Sequence, residues 1–393
     1  MRKVFCLTVN QINKIWVDYQ KKEVVMKKVK IVYVISQLSY GGAETSLLDI
    51  CNYIDSNTFD ITVISVLKSD TLQNLFKKNK KIKVISLNFK SRYNIFIILM
   101  LGLRLFCLKP DIIHTHLPVA NIYTRFFSLF IKSNYICTRH TVIFKNNLFY
   151  KIDLWTSKIN KYMIANSLFT KEYLLKYKYI EEDKIEIVNL GVDFTKFKKS
   201  NIEKKDFLYK YSIDSDAKII VNIGSFKKEK GHLYLLKAFK KVVSQNPKCY
   251  LFLAGKGLLF EEIRALACSL GIEENVIFTG NLSNIGDILS FADVFVSPSI
   301  SESFGISLIE AMYFKVPVIA FNVDAVPNLI KDNETGFLVE LYDYKSLFKK
   351  ILEVLNNNNS NITDKAFRLV TEYYCIKKTS KDLADFYLNK VLK

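Results

Sequence analysis

Short apolar runs and longer mixed stretches alternate along almost the whole chain. Lys30–Ser36, Ile61–Leu67 and Lys83–Leu87 have strand length and composition, and helical segments separate them. The rhythm resumes with apolar stretches ending at His116, at Thr138 and at Val188. After a polar stretch, Lys196–Lys205, it starts again at Lys218–Ile223, Tyr250–Ala254, Val276–Thr279, Ala292–Val296 and Val316–Phe321. Strand, helix, strand in repetition predicts an α/β protein built on parallel sheets. The polar stretch divides it into an N-terminal domain over 26–200 and a second domain over 201–372. Residues 1–25 precede the first strand-like run and contain no motif. They read as an extension from a start codon placed too early, and a chain beginning at Met26 is expected to fold and to act equally well.

The densest chemistry lies in Ser297–Asn322, SPSISESFGISLIEAMYFKVPVIAFN. A strand leads through Pro298 and a Gly-containing loop into a helix expected from about Gly305 to Phe314, and Pro317 stands at the start of the next strand. The first-turn amides of such a helix lack partners and its dipole favours negative charge, so a phosphate can bind there. Glu302 just before the helix and Glu310 inside it suit hydroxyl groups better than a phosphate, each contributing about 1.5–3 kcal/mol as a charged hydrogen bond. The plainer reading leaves Glu302 as a cap and Glu310 as a solvated helix residue. Lys230, five residues after Ser225 and at the start of a helix, is placed to hold a diphosphate. Gly41–Gly42 joins a strand to a helix, a loop that lets a ligand approach the backbone. His114 and His116 share one face of a strand, a conceivable metal pair that no nearby Cys or acidic residue completes. Asp214-Ser215-Asp216 sits in a turn before a strand and reads as chance.

These residues, in this order, resemble the retaining GT-B glycosyltransferases of the "glycosyl transferases group 1" type. The match joins E-x7-E within PS-x-x-E-S-F-G-I-S-L-I-E-A-M to V-P-V-I-A and then to Asp332–Val339. It extends to the G-G-A-E loop at Gly41–Glu44, to D-I-I-H-x-H at Asp111–His116 and to Arg139-His140-Thr141. The resemblance implies two doubly wound, Rossmann-like domains facing each other across a cleft, with a closing helix in Thr371–Leu392 that crosses back to the first domain. It implies a nucleotide-sugar donor held by the second domain and a hexose or N-acetylhexosamine passed to a hydroxyl with retained anomeric configuration. Glu302 and His140 would act on the donor sugar and Glu310 on the ribose. Lys230, Ser303, Phe304, Gly305, Gly42, Gly224, Ser225 and Leu282 would hold the rest of the donor. No cofactor and no metal are expected, since Lys230 and the helix dipole take the metal's place. Four positions depart from the family pattern. Lys315 replaces a glycine at the helix C-terminus, where a left-handed residue would cost about 1 kcal/mol. Val323-Asp324 replaces a Gly-Gly pair, and Ser225 replaces an arginine. Two other readings stay open: a sugar-nucleotide epimerase of the same architecture, and an inactive partner subunit.

Charge adds a partner. The formal net charge is +19, and it is uneven: +17 over residues 1–200 and +2 over 201–393. The apolar segment from Asn94 to Leu108, edged by Arg92, Arg104 and Lys109, is too short to span a bilayer. It reads first as a buried helix, and otherwise as an interfacial helix on anionic lipid. With Tyr123–Lys132 it motivates an anionic membrane surface as partner, a lipid-linked glycan as acceptor, and a peripheral place at the inner face of the cell membrane. Seven scattered cysteines without a C-x-x-C pair fit a reducing cytoplasm. No aromatic-interleaved basic motif supports nucleic-acid binding.

Overall fold

The structure, a computed structural model, describes residues 27–393 except 40, 70, 141–147 and 283, with the backbone alone at 148–150. The extension over 1–25 lies outside the described residues, as do Tyr40 and Thr141. Two parallel sheets carry the fold. The first holds β1 (Val29–Ile35), β2 (Phe59–Leu67), β3 (Ile82–Phe89), β4 (Ile112–His116), β5 (Asn134–Arg139), β6 (Tyr162–Ala165) and β7 (Ile185–Ile187), in the order β3-β2-β1-β4-β5-β6-β7. The second holds β8 (Lys218–Ile223), β9 (Cys249–Ala254), β10 (Val276–Gly280), β11 (Val294–Ser297), β12 (Val318–Phe321) and β13 (Phe337–Val339), in the order β10-β9-β8-β11-β12-β13. These strands are apolar on both faces because helices cover both faces of a parallel sheet. In β1, Ile31 to Ile35 are all buried.

Each sheet is doubly wound. The chain steps outward from β1 to β3, then returns to the other side of β1 with β4; the second sheet does the same around β8 and β11. At such a switch point the loops leaving adjacent strands diverge and open a crevice beyond their carboxyl ends. The loops after β1, β4, β8 and β11 are therefore the ones placed to build a site.

The C-terminus ties the halves together. The single helix expected over Thr371–Leu392 is interrupted. A helix ends at Tyr373, and the backbone then turns to pair with Val192: its N–H donates to the Tyr374 carbonyl at 2.9 Å and its carbonyl accepts from Ile376 N–H at 3.0 Å. Two hydrogen bonds to the segment at Val192 form where the helix stops. A second helix, Ile376–Phe386, continues through Tyr387–Val391 and buries Ile376, Leu383, Phe386, Tyr387 and Val391 in the core of the first sheet. The Phe169 amide also crosses between the halves, donating to Asn328 at 3.1 Å, while Tyr53, which donates to Asp193 at 2.8 Å, and Asp49, which pairs with Lys196, hold the end of the first half against its own helix Gly42–Tyr53.

Beside β5 lies a buried ionic cluster. Asp153, fully enclosed, accepts from Arg125 at 2.9 Å and from Arg139, while Arg125 also donates to Asn160 at 3.0 Å. One carboxylate thus serves as counter-ion to two buried guanidinium groups, leaving the cluster with one net positive charge.

The helix Phe96–Leu108 is buried on one face alone. Ile97, Leu101 and Leu105 point into the core, but Phe96, Leu99, Leu103 and Phe106 are exposed. Hydropathy alone suggested full burial. Among the described residues the helix packs on the first sheet and on the helix Pro118–Ser128, and its other apolar face is exposed. Phe126, Leu129 and Phe130 are exposed as well. No described helix is long and apolar enough to cross a membrane.

Candidate functional site

A cleft of about 690 Å³ lies where the two sets of switch-point loops meet. Gly42 from the first half and Gly224, Ser225, Lys230, Glu302, Ser303, Phe304, Gly305 and Glu310 from the second all line it, with His140 from beyond β5. An added Cβ on Gly42 would stand 3.2 Å from Ile306 Cδ1, so the Gly-rich loop touches the first residue of the facing helix.

Of the residues expected at the donor, Leu282 is elsewhere. It lines a separate cavity with Lys198, Tyr211 and Asn284. Its strand, β10, is the edge of the second sheet, two strands from β8, so its loop leaves the sheet away from the switch point.

Lys230 is carried by a short turn ending in Gly231, which adopts φ +63°. A side chain there would meet the Pro298 carbonyl at 1.9 Å, so glycine lets this turn pack directly on the loop after β11. That contact brings Lys230 Nζ within 2.5 Å of Glu302 Oε2. The two residues expected on diphosphate and on sugar hold each other across the cleft.

Glu302 is fixed from behind. Its amide donates to Asp324 Oδ2 at 3.0 Å, and the Ser301 hydroxyl donates to the same oxygen at 2.5 Å. Asp324 keeps φ +47°, the left-handed backbone that the Gly-Gly pattern supplies elsewhere, and adds a carboxylate that anchors the loop. Lys315 likewise keeps φ +57°, and its ammonium pairs with Asp364 at 2.6 Å.

The helix after the loop runs Ile306–Tyr313, with Gly305 as N-cap at φ +94°. The Phe304 ring turns into the core against Tyr374, leaving its backbone at the cleft wall. Glu310 is in the second turn. Its side chain is half-buried at the cleft wall, and this burial pushes its pKa up to about 8.

From the first half, His140 Nε2 is hydrogen-bonded to His116 Nδ1 at 2.8 Å, and its carbonyl accepts from Asn166 at 3.3 Å. Burial, with Arg139 adding a smaller push, lowers its pKa to about 4, so the ring is neutral. His114 and His116 form no metal site: His114 is engaged on both nitrogens, by Tyr387 at 2.6 Å and Thr138 at 2.7 Å. Among the described residues no group of three potential ligands assembles.

Two other cleft residues were given no role of their own from the sequence, although Glu44 closes the G-G-A-E loop. Glu44, in the first turn of the helix after Gly42, is buried; desolvation raises its carboxyl pKa, and Ser39 donates to it at 3.1 Å. Lys227 lines the cleft two residues after Ser225 and supplies a cation close to where the family pattern has arginine. The signal was the run Lys227-Lys228-Glu229-Lys230, whose first lysine carries no motif of its own.

Comparison with known proteins decides the family. The description "Glycosyl transferases group 1" matches residues 203–368, and "Glycosyltransferase Family 4" matches residues 40–196. The chain belongs to the group 1 glycosyltransferases. This glycosyltransferase is 27% identical over 300 residues to an Escherichia coli UDP-Gal:alpha-D-GlcNAc-diphosphoundecaprenol alpha-1,3-galactosyltransferase, covering 72% of this chain and 76% of that one. A glycosyltransferase from Rickettsia africae superimposes with a TM-score of 0.79 at 25% identity, over 93% of this chain and 99% of that one. Anabaena HepE, solved with UDP and glucose, has the same GT-B fold at a TM-score of 0.82 and 16% identity, over 92% and 100% of the two chains.

Proposed function

We propose that this glycosyltransferase moves a sugar from a uridine diphosphate donor to a hydroxyl of a lipid-linked glycan, with retention at the anomeric carbon. The observation that carries the reading is the convergence of Lys230, Glu302 and Glu310 at the start of the Ile306–Tyr313 helix, with His140 contributed from the other half. Glu310 accepts from the ribose hydroxyls. Glu302 accepts from a hydroxyl of the sugar, and His140 meets the same sugar from the opposite wall. Lys230, Lys227 and the amides of Ser303–Gly305 stabilise the charge that develops on the leaving diphosphate, the term that is usually largest in such sites. No metal ion is assigned to that task. The bond from the anomeric carbon to the acceptor oxygen forms on the face from which the diphosphate leaves, and the acceptor's proton passes to a departing phosphate oxygen. No pair of the cleft's carboxyl groups is assigned the acid and base roles of a glycosidase. The uridine donor and the lipid-linked acceptor are drawn from the names of the E. coli relative and the Anabaena complex.

The acceptor side favours a membrane. The exposed apolar residues Phe96, Leu99, Leu103 and Phe106, with Phe126 and Phe130, lie on the half that carries the excess positive charge. Exposed Arg104, Lys109 and Lys132 border them. This patch would rest on an anionic leaflet and bring the cleft to an acceptor embedded there.

Release of free nucleotide from a panel of nucleotide sugars, with and without diphosphoundecaprenol-linked sugars, tests the activity, and NMR of the product gives the anomeric configuration. Conversion of the donor to an epimer without acceptor would replace this reading with an epimerase. Release of no nucleotide from any donor would leave a non-catalytic subunit.

A further inference from the structure

Glu302 has to keep its place while its partner changes. Its carboxylate holds Lys230 Nζ at 2.5 Å and accepts from the Ser299 hydroxyl at 3.4 Å. On the reading above, donor binding turns Lys230 to the diphosphate and Glu302 to a sugar hydroxyl. The bond between these two side chains is then lost, and something else must hold Glu302. Its backbone is held separately, by one turn after β12. The Glu302 amide donates to Asp324 Oδ2 at 3.0 Å, and the neighbouring Ser301 hydroxyl donates to the same oxygen at 2.5 Å. The Glu302 carbonyl accepts from the Ala325 amide at 3.1 Å. Both backbone groups of Glu302 are therefore fixed by adjacent residues of the turn. The direction of both bonds is set, because an amide N–H only donates.

The turn has a residue that its backbone does not favour. Val326 N–H donates to the Val323 carbonyl at 3.0 Å, which makes Asp324 and Ala325 the two central residues. Asp324 has φ +47° and Ala325 has φ −81°. A positive φ at the first central position suits glycine, which would relieve the strain but would bring no side chain. Asp324 instead reaches Glu302 with a charged acceptor, whose hydrogen bonds are stronger than those of a neutral one. Ser301 and Glu302 line the cleft and Asp324 stands behind them, outside the lining. We infer that Asp324 is a positioning residue: its carboxylate keeps Glu302 in place while Lys230 is exchanged for a sugar hydroxyl, and it acts on turnover through Glu302. The inference rests on the placing of Glu302 on the donor sugar proposed above.

Asp324→Gly in the full chain removes the carboxylate and suits the backbone, so it separates stability from turnover. Its unfolding temperature should equal or exceed that of the native chain. Its affinity for the UDP-sugar that the nucleotide-release panel selects should hold, while kcat falls about tenfold. Asp324→Asn tolerates the left-handed backbone and keeps an acceptor oxygen, so it should recover most of the lost kcat. In a Glu302→Ala background, Asp324→Gly should lower kcat no further. The inference is overturned by an unchanged kcat in Asp324→Gly, by a loss of stability or donor affinity in that variant, by no recovery in Asp324→Asn, or by an equal further loss in the Glu302→Ala background. The underlying placement is read from Glu302→Ala alone: an intact kcat there removes Glu302 from the donor sugar, whatever Asp324→Gly does.

Discussion

On the ribose assignment proposed above, titration of Glu310 should report on donor binding. Its carboxyl is held near pH 8 by burial, well above its ordinary value of 4.5. Ribose hydroxyls donate, so the carboxylate is the form that accepts them, and the free protein must lose a proton to bind. Donor affinity should therefore rise with pH up to about 8 and level off above it. With a single titrating group, the dissociation constant should weaken roughly 25-fold between about pH 8.5 and about pH 6.5, close to 1.4 kcal/mol per pH unit at the steepest part. Histidines add nothing in this window: His140 and His232 are lowered to about 4, His114 to about 3, and His116 well below its usual range. Calorimetry with an intact nucleotide sugar suits the measurement, because its bridged phosphates lack the proton that titrates near pH 6 in a terminal phosphate. Glu310→Gln should bind about tenfold or more weakly at pH 8.5, and without the slope. That variant also separates Glu310 from Glu44, the other cleft carboxyl raised by burial. Stability should move the opposite way. The folded protein keeps a proton that the unfolded chain releases above pH 4.5, so stability falls as pH rises from there through 8, and the Gln variant loses that decline. A dissociation constant that is flat across the window, or a slope that survives in Glu310→Gln, would refute the ribose assignment.

Four further outcomes can be measured. Lys230→Ala should weaken donor binding roughly tenfold, whereas Glu302→Ala should mainly lower kcat; unchanged donor affinity in the lysine variant removes it from the diphosphate. Chelation with EDTA should leave turnover unchanged, and a loss restored by a divalent ion would assign the diphosphate charge to a metal. The protein should co-sediment with anionic vesicles at low salt and release as salt rises, each basic side chain near the surface contributing about 1 kcal/mol; Leu103→Glu with Phe106→Glu should abolish sedimentation while donor binding persists. Asp153→Asn should cost about 3–5 kcal/mol in denaturant unfolding, because it strands Arg125 and Arg139 without a counter-charge.

The strands were legible because apolar runs of strand length have few other homes, and β8 runs over the residues read from the sequence. The cleft was legible because its residues sit on loops directly following those strands. What could not be read was adjacency between strands. Leu282 follows a strand just as Gly224 does, yet sheet order puts it beside another cavity. His116 and His140 are 24 residues apart, and only the β4–β5 register brings them into contact. The break at Tyr374–Cys375 pairs with Val192, far away in sequence. The apolar helix at Phe96–Leu108 showed its hydrophobicity plainly, but not which face would lack a partner.

The return of the last helix to the first sheet sets a schedule for synthesis. Strands β1–β7 are complete when Ile187 leaves the ribosome, but their core still lacks Ile376, Leu383, Phe386 and Tyr387. At about 5–20 residues per second the wait for those side chains is roughly 10–40 s. During that interval the nascent first half exposes the groove they will fill, a surface open to chaperones and to premature association with other chains. An N-terminal fragment made alone would keep that groove open permanently.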